Sequence, residues 1–134
     1  MDEQLTEILE NAHEIKVYNN TELTHINQEQ ILPQLSEMLD KAYFAPAFAV
    51  VRPQDFEKMF KKGLWVEFCF NRTRTFAEMP FEKLIINIKP DLLGFNVMRY
   101  NNGVYDGRCF YLNLTNYTTK FYKHLNNLLK QEKA

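Results

Sequence analysis

Apolar residues recur at helical spacing at both ends of the chain and at strand spacing in its middle. Leu5, Ile8, Leu9 and Ala12 fall at i, i+3, i+4 and i+7, with Asp2 placed to cap and Glu3, Glu7, Glu10 and Glu14 on the other side. This is a first amphipathic helix. Ile15–Tyr18 is too short a run to assign by period, and Asn19-Asn20 reads as a turn. A second helix is predicted from about Gln28 to Tyr43. Its apolar face is Ile31, Leu35, Met38, Leu39 and Ala42, and Asn27 with Gln30 makes a capping box. Pro33 either opens this helix or kinks it one turn in, and Pro46 ends it.

Phe48–Val51 is a short predicted strand. A compact helix then runs from Pro53 to Lys62, with Phe56, Met59 and Phe60 on its core side. Its acids come early, its lysines late, and Gly63 follows its end. From Leu64 the period becomes two. Leu64, Val66, Phe68 and Phe70 alternate with Trp65, Glu67, Cys69 and Asn71; similar alternation covers 83–89, 95–100 and 108–113. Asn102-Gly103 is a hairpin signal, and Asp106-Gly107 is either the true turn or a bulge. The connections are too short for crossover helices, so the strands form an antiparallel meander. Tyr117, Phe121, Leu125, Leu128 and Leu129 mark a last helix over 115–131, with Lys120, Lys123 and Lys130 facing water. The predicted fold is α+β: a mostly antiparallel sheet of four to five strands, with N-terminal and C-terminal helices packed against it. All 134 residues read as one domain, with an acidic helical segment 1–44, a sheet-forming segment 45–114 and the C-terminal helix.

Charge changes this picture. The net of −1 hides two halves of opposite sign. Residues 1–40 hold nine acids and one base, Lys16, a net of −8; residues 41–134 hold 15 bases and eight acids, a net of +7. The acids are Asp2, Glu3, Glu7, Glu10, Glu14, Glu22, Glu29, Glu37 and Asp40. Ordinary surfaces intersperse the signs, and a segregated field steers partners. Such a stretch is either a plain solvated helix face, or lies against the chain's own bases, or meets a basic partner.

Composition excludes several classes. With 46% hydrophobic residues the chain can fill a core, and no apolar run approaches the length of a membrane span. MDEQLTEILEN is not a signal peptide. Cys69 and Cys109 read as reduced thiols of a cytoplasmic protein; a bridge would need their strands to be neighbours. His13, His25 and His124 show no metal-ligand spacing, so no metal and no cofactor is expected. Cys-His catalysis would need Cys69 or Cys109 beside His124. Glu67 stands alone in an apolar strand: a buried acid with a raised pKa, or an acid on the solvent face of a half-exposed strand, or one paired with a base such as Arg99 on a neighbouring strand.

Two functional expectations follow. The first is a non-enzymatic protein-binding module: an inhibitor or bacterial immunity protein that neutralises a basic, nuclease-type toxin. Glu3, Glu7, Glu10, Glu14, Glu22, Glu29, Glu37 and Asp40 would form its partner-binding face, with Tyr18 or Tyr43 as an anchor. The alternative is a single-stranded nucleic-acid-binding domain using Arg72, Arg74, Arg99, Arg108, Tyr105 and Tyr111 as a basic, stacking sheet face. Eleven Phe and seven Tyr also leave room for a homodimer interface.

Overall fold

The structure is a computed structural model that describes residues 5–40, 44–51, 58, 62–76, 79–88, 93–101, 104–112 and 115–133, with side chains described for 6–38, 58, 62–75, 81–87 and 119–131. In chain order the elements are α1 (Leu5–Glu10), β1 (Glu14–Asn19), β2 (Glu22–Ile26), α2 (Gln28–Asp40), β3 (Phe44–Val51), β4 (Leu64–Phe76), β5 (Met79–Ile88), β6 (Leu93–Asn101), β7 (Val104–Leu112) and α3 (Thr115–Lys133). The fold is α+β, with helices at both ends of an antiparallel sheet. The compact helix expected over Pro53–Lys62 falls almost wholly outside the described residues, as do Tyr43 and Glu3.

The four-strand meander β4–β7 is present, but the sheet is wider than expected. It has seven strands in the order β2-β1-β4-β5-β6-β7-β3. The segment expected to be helical through residue 44 holds a hairpin, β1–β2, laid antiparallel on β4. The other addition is β3, which pairs with β7 and begins at Phe44, so Pro46 lies within a strand rather than ending a helix. Asn101 pairs with Val104, the expected Asn102-Gly103 turn between them lies outside the described residues, and Gly107 continues β7 in register opposite Met98.

One face of the sheet carries the main core. Ile15, Val17, Val66, Phe68, Leu84 and Ile86 pack there with Ile8, Leu9, Ile31, Leu35, Phe121, Leu125 and Leu129 from the helices. Burying one such side chain contributes about 1.5–3 kcal/mol. The second face is also dry at β4: Trp65, Glu67 and Cys69 are buried, along with Tyr18 and Ile85. That is why Leu64–Phe70 is almost continuously apolar.

Local chemistry sets the element ends. Gln30 Oε1 accepts the Asn27 N–H at 2.7 Å, so the capping box forms and α2 starts at Gln28. Pro33 lies inside α2, where its missing N–H leaves a carbonyl of the preceding turn without its usual donor. In that turn the Gln30 carbonyl is 2.7 Å from His124 Nε2 of α3, which ties the two helices together. The β1–β2 turn is Asn20-Thr21, one residue later than expected, with φ of 49° and 73°. Two positive φ values in a two-residue loop make a type I′ turn, which favours Asn followed by Gly. Asn20 is clamped to Gly63, itself at φ 78°: its N–H donates to the Gly63 carbonyl at 3.0 Å, and its Oδ1 accepts the Gly63 N–H at 2.9 Å.

Thr21 is therefore strained, since a β-branched residue in the left-handed region costs about 1–2 kcal/mol. Thr21→Gly relieves that strain and loses part of the gain to glycine's greater freedom in the unfolded chain. The expected result is a net stabilisation of about 0.5–1 kcal/mol, read from urea unfolding at neutral pH. A lower unfolding midpoint would show that Thr21 is not strained.

Candidate functional site

The hairpin and the meander meet at a buried carboxylate. Glu67, on β4, is only 1% exposed and lies opposite Lys16 of β1 in the ladder. Lys16 Nζ is 3.8 Å from Glu67 Oε1 and 3.4 Å from Glu14 Oε1, and Glu14 also meets His25 Nε2 at 3.2 Å. The Cys69 thiol donates to Glu67 Oε1 at 3.6 Å. Glu67 is thus buried rather than on a solvent face, and it is paired, but its base is Lys16 and not Arg99. β5 separates β4 from β6, and Glu67 shares its row with Ile85 and Asn96.

This cluster raises Cys69, Tyr18 and Lys16 and lowers Glu14. Burial, then the neighbouring Glu67 charge, push the Cys69 thiol up to about 11. Tyr18 is raised for the same two reasons. Burial works to lower Lys16, but the negative charges around it outweigh that, and its pKa is raised. Desolvation works to raise Glu14, and Lys16 and His25 overcome it and hold it below the usual carboxylate range. Cys69 is therefore the opposite of an activated nucleophile. His124 is engaged with α2 on the helical side, whereas Cys69 belongs to the other face. Cys109 lies on β7, three strand spacings or roughly 14 Å from β4, too far for a disulfide with Cys69. Among the described residues no group of three His, Cys, Asp or Glu is placed to hold a metal ion.

The acidic residues divide. Glu14 is engaged by Lys16 and His25, and Glu37 pairs with Lys120 of α3 at 3.2 Å. Glu22, exposed on β2, also has an interaction partner. Glu7, Glu10 and Glu29 are exposed and make no ion pair among the described residues. Asp40 closes α2, and its side chain, like Glu3, lies outside those described. Glu10 and Glu29 flank an open groove of about 330 Å³ at the packed α1 and α2, lined also by Gln28, Leu32, Pro33 and Ser36. Of the two anchors named from sequence, Tyr18 is buried and cannot serve on this surface. Sequence reasoning did not find the groove lining of Leu32 and Pro33, because it exists only once α1 is set against α2.

Of the basic and aromatic residues named for a nucleic-acid face, only Arg72 and Arg74 have described side chains. Arg72 is exposed, but Arg74 is buried. By register Arg99 and Arg108 fall in the rows of Asp106 and Val97, whereas Tyr105 and Tyr111 fall in the alternate rows, opposite Tyr100 and Gly94. Comparison with protein-family models, with curated proteins and with solved structures finds no match to this chain.

The raised thiol fixes a direction for pH. The folded state holds the Cys69 proton more tightly than the unfolded chain, so this stabilisation is complete below the ordinary value of 9.0 and is lost as pH rises to about 11. Tyr18 and Lys16 act in the same sense as pH rises through and above their ordinary values of 10.0 and 10.5. The urea midpoint of the wild type should fall between pH 9.0 and about 11, and Cys69→Ala should flatten that fall whatever it does to the neutral value. An identical slope in the variant would remove Cys69 from the buried cluster.

Proposed function

We propose that this chain is a non-enzymatic protein-binding module whose α1–α2 surface receives a basic protein, as an inhibitor or immunity protein receives a nuclease-type toxin. The observation that carries the reading is the groove at α1 and α2. Glu10 and Glu29, which make no ion pair among the described residues, stand beside Leu32 and Pro33, with Glu7, likewise without an ion pair among them, one turn before Glu10. Lys16, the one base among the first 40 residues, is drawn into the sheet by Glu67 and Glu14, so it softens none of this surface. Acids at the rim of an apolar patch are what accelerate docking of a basic partner, with the apolar contact holding it afterwards. No described helix is long and apolar enough to cross a membrane, in keeping with a partner met in water. Single-stranded nucleic acid is the less supported ligand, because Arg74 is buried and the strand arginines and tyrosines occupy alternate rows.

The test uses a basic nuclease encoded beside this chain, with association followed by stopped flow at low and at high salt. Binding should slow steeply as salt rises, because exposed charges are screened over about 10 Å at 0.1 M. Charge reversal at Glu10→Lys with Glu29→Lys should slow association at low salt by about 10–100-fold. Glu37→Gln, which alters an acid already paired within the chain, should change it little. Salt-independent binding, or equal effects of the two sets of variants, would move the docking surface elsewhere.

A further inference from the structure

A seven-stranded open sheet has two edges, and here they differ. On the β3 edge, Pro46 has no N–H to offer, and the register with β7 shifts between Pro46 and Val50. Proline and irregular register are the devices by which sheets blunt an edge against further pairing. The β2 edge has neither. Its five residues, Glu22–Ile26, pair with β1 in unbroken register, with no proline, lysine or bulge. It also carries Leu23, 45% exposed and the only exposed large hydrophobic side chain among the described residues.

The turn determines which groups this edge presents. In a two-residue type I′ hairpin the flanking residues, Asn19 and Glu22, exchange both backbone bonds. Thr24 and Ile26 then also turn their N–H and C=O toward β1. Leu23 and His25 turn theirs outward. The bond from the Asn20 N–H to Gly63, on the β4 side, agrees with this alternation along β1.

We propose that the β2 edge pairs with the β2 edge of a second copy of this chain, antiparallel and symmetric about Thr24. Only that register uses both outward residues of both copies. Each Leu23 exchanges two bonds with the second copy's His25, giving four in all. A register centred on Leu23 or on His25 makes only two within the strands. The same register satisfies the side chains. Thr24 meets Thr24, a favourable cross-strand pair, and the two Leu23 side chains become diagonal neighbours that cover each other. Glu22 comes opposite Ile26, so no like charges oppose one another. His25 keeps its contact with Glu14 on its own β1. The result is one sheet continued through two molecules, with a small interface and reversible association.

The experiment is light scattering of the full chain over a concentration series. The expected mass is twice 16.0 kDa at high concentration, falling to 16.0 kDa on dilution. Leu23→Pro removes an outward N–H and leaves the β1 ladder intact, so it should be monomeric throughout with wild-type circular dichroism. Leu23→Lys, which faces the second copy's His25 and Lys16 in the paired sheet, should also be monomeric and decides the matter if the proline variant fails to fold. Thr24→Cys should form a covalent dimer on mild oxidation, whereas Thr21→Cys should not. A wild-type monomer at every concentration, as expected if β2 instead takes a strand from a different protein, would overturn the proposal. So would a dimer that survives both Leu23 variants.

Discussion

The contact between Lys16 and Glu67 is the constraint on which the rest of this molecule turns. A carboxylate with 1% exposure is tolerable only with a cation and hydrogen-bond donors beside it. β4 cannot supply the cation, because its nearest residues are Trp65, Val66, Phe68 and Cys69. The cation arrives from β1, and only in the register that sets Lys16 opposite Glu67. A slip of one residue would put Ile15 or Val17 there, turn Lys16 into the helical core and take it away from the acid. The pair thus specifies how the N-terminal hairpin joins the meander, in addition to whatever net stability it contributes.

The same contact shapes the exterior. Lys16 is the only positive charge along the first 40 residues, and it faces inward toward the acid on β4. Lys120 of α3 reaches one carboxylate, Glu37, and His25 reaches another, Glu14. What remains around α1 and the start of α2 is negative charge beside an apolar groove. Segregated charge in the sequence thus becomes a partly neutralised surface, and the acids without an ion pair among the described residues are fewer than the full set.

Legibility in the sequence followed the range of the interactions involved. The capping box at Asn27 and Gln30, the alternation from Leu64, and the stripe of Phe121, Leu125 and Leu129 are local, and each appears as read. β1 and β2 were not legible as strands. Ile15–Tyr18 is too short to show a period, and Glu22–Ile26 has only two apolar residues. β1 is a strand because β4 offers it an edge, and β2 because β1 then offers the next. Pro46 reads locally as a stop, yet it fits on an edge strand where its missing N–H costs nothing. The partner of Glu67 depends on strand order, which puts β1 rather than β6 next to β4. For the candidate surface, sequence named the acids but could not divide them, because pairing with Lys16, His25 and Lys120 needs three dimensions.

A double-mutant cycle on Lys16→Met and Glu67→Gln, measured by urea unfolding at neutral pH, tests this account most directly. Lys16→Met should cost about 1–3 kcal/mol when Glu67 is present, because it leaves a buried charge without its cation. It should cost at least ~1 kcal/mol less when residue 67 is already an amide, since contacting partners couple. Additivity within about 0.3–0.5 kcal/mol would mean that the two residues are energetically independent, and would contradict the claim that this pair joins the hairpin to the sheet.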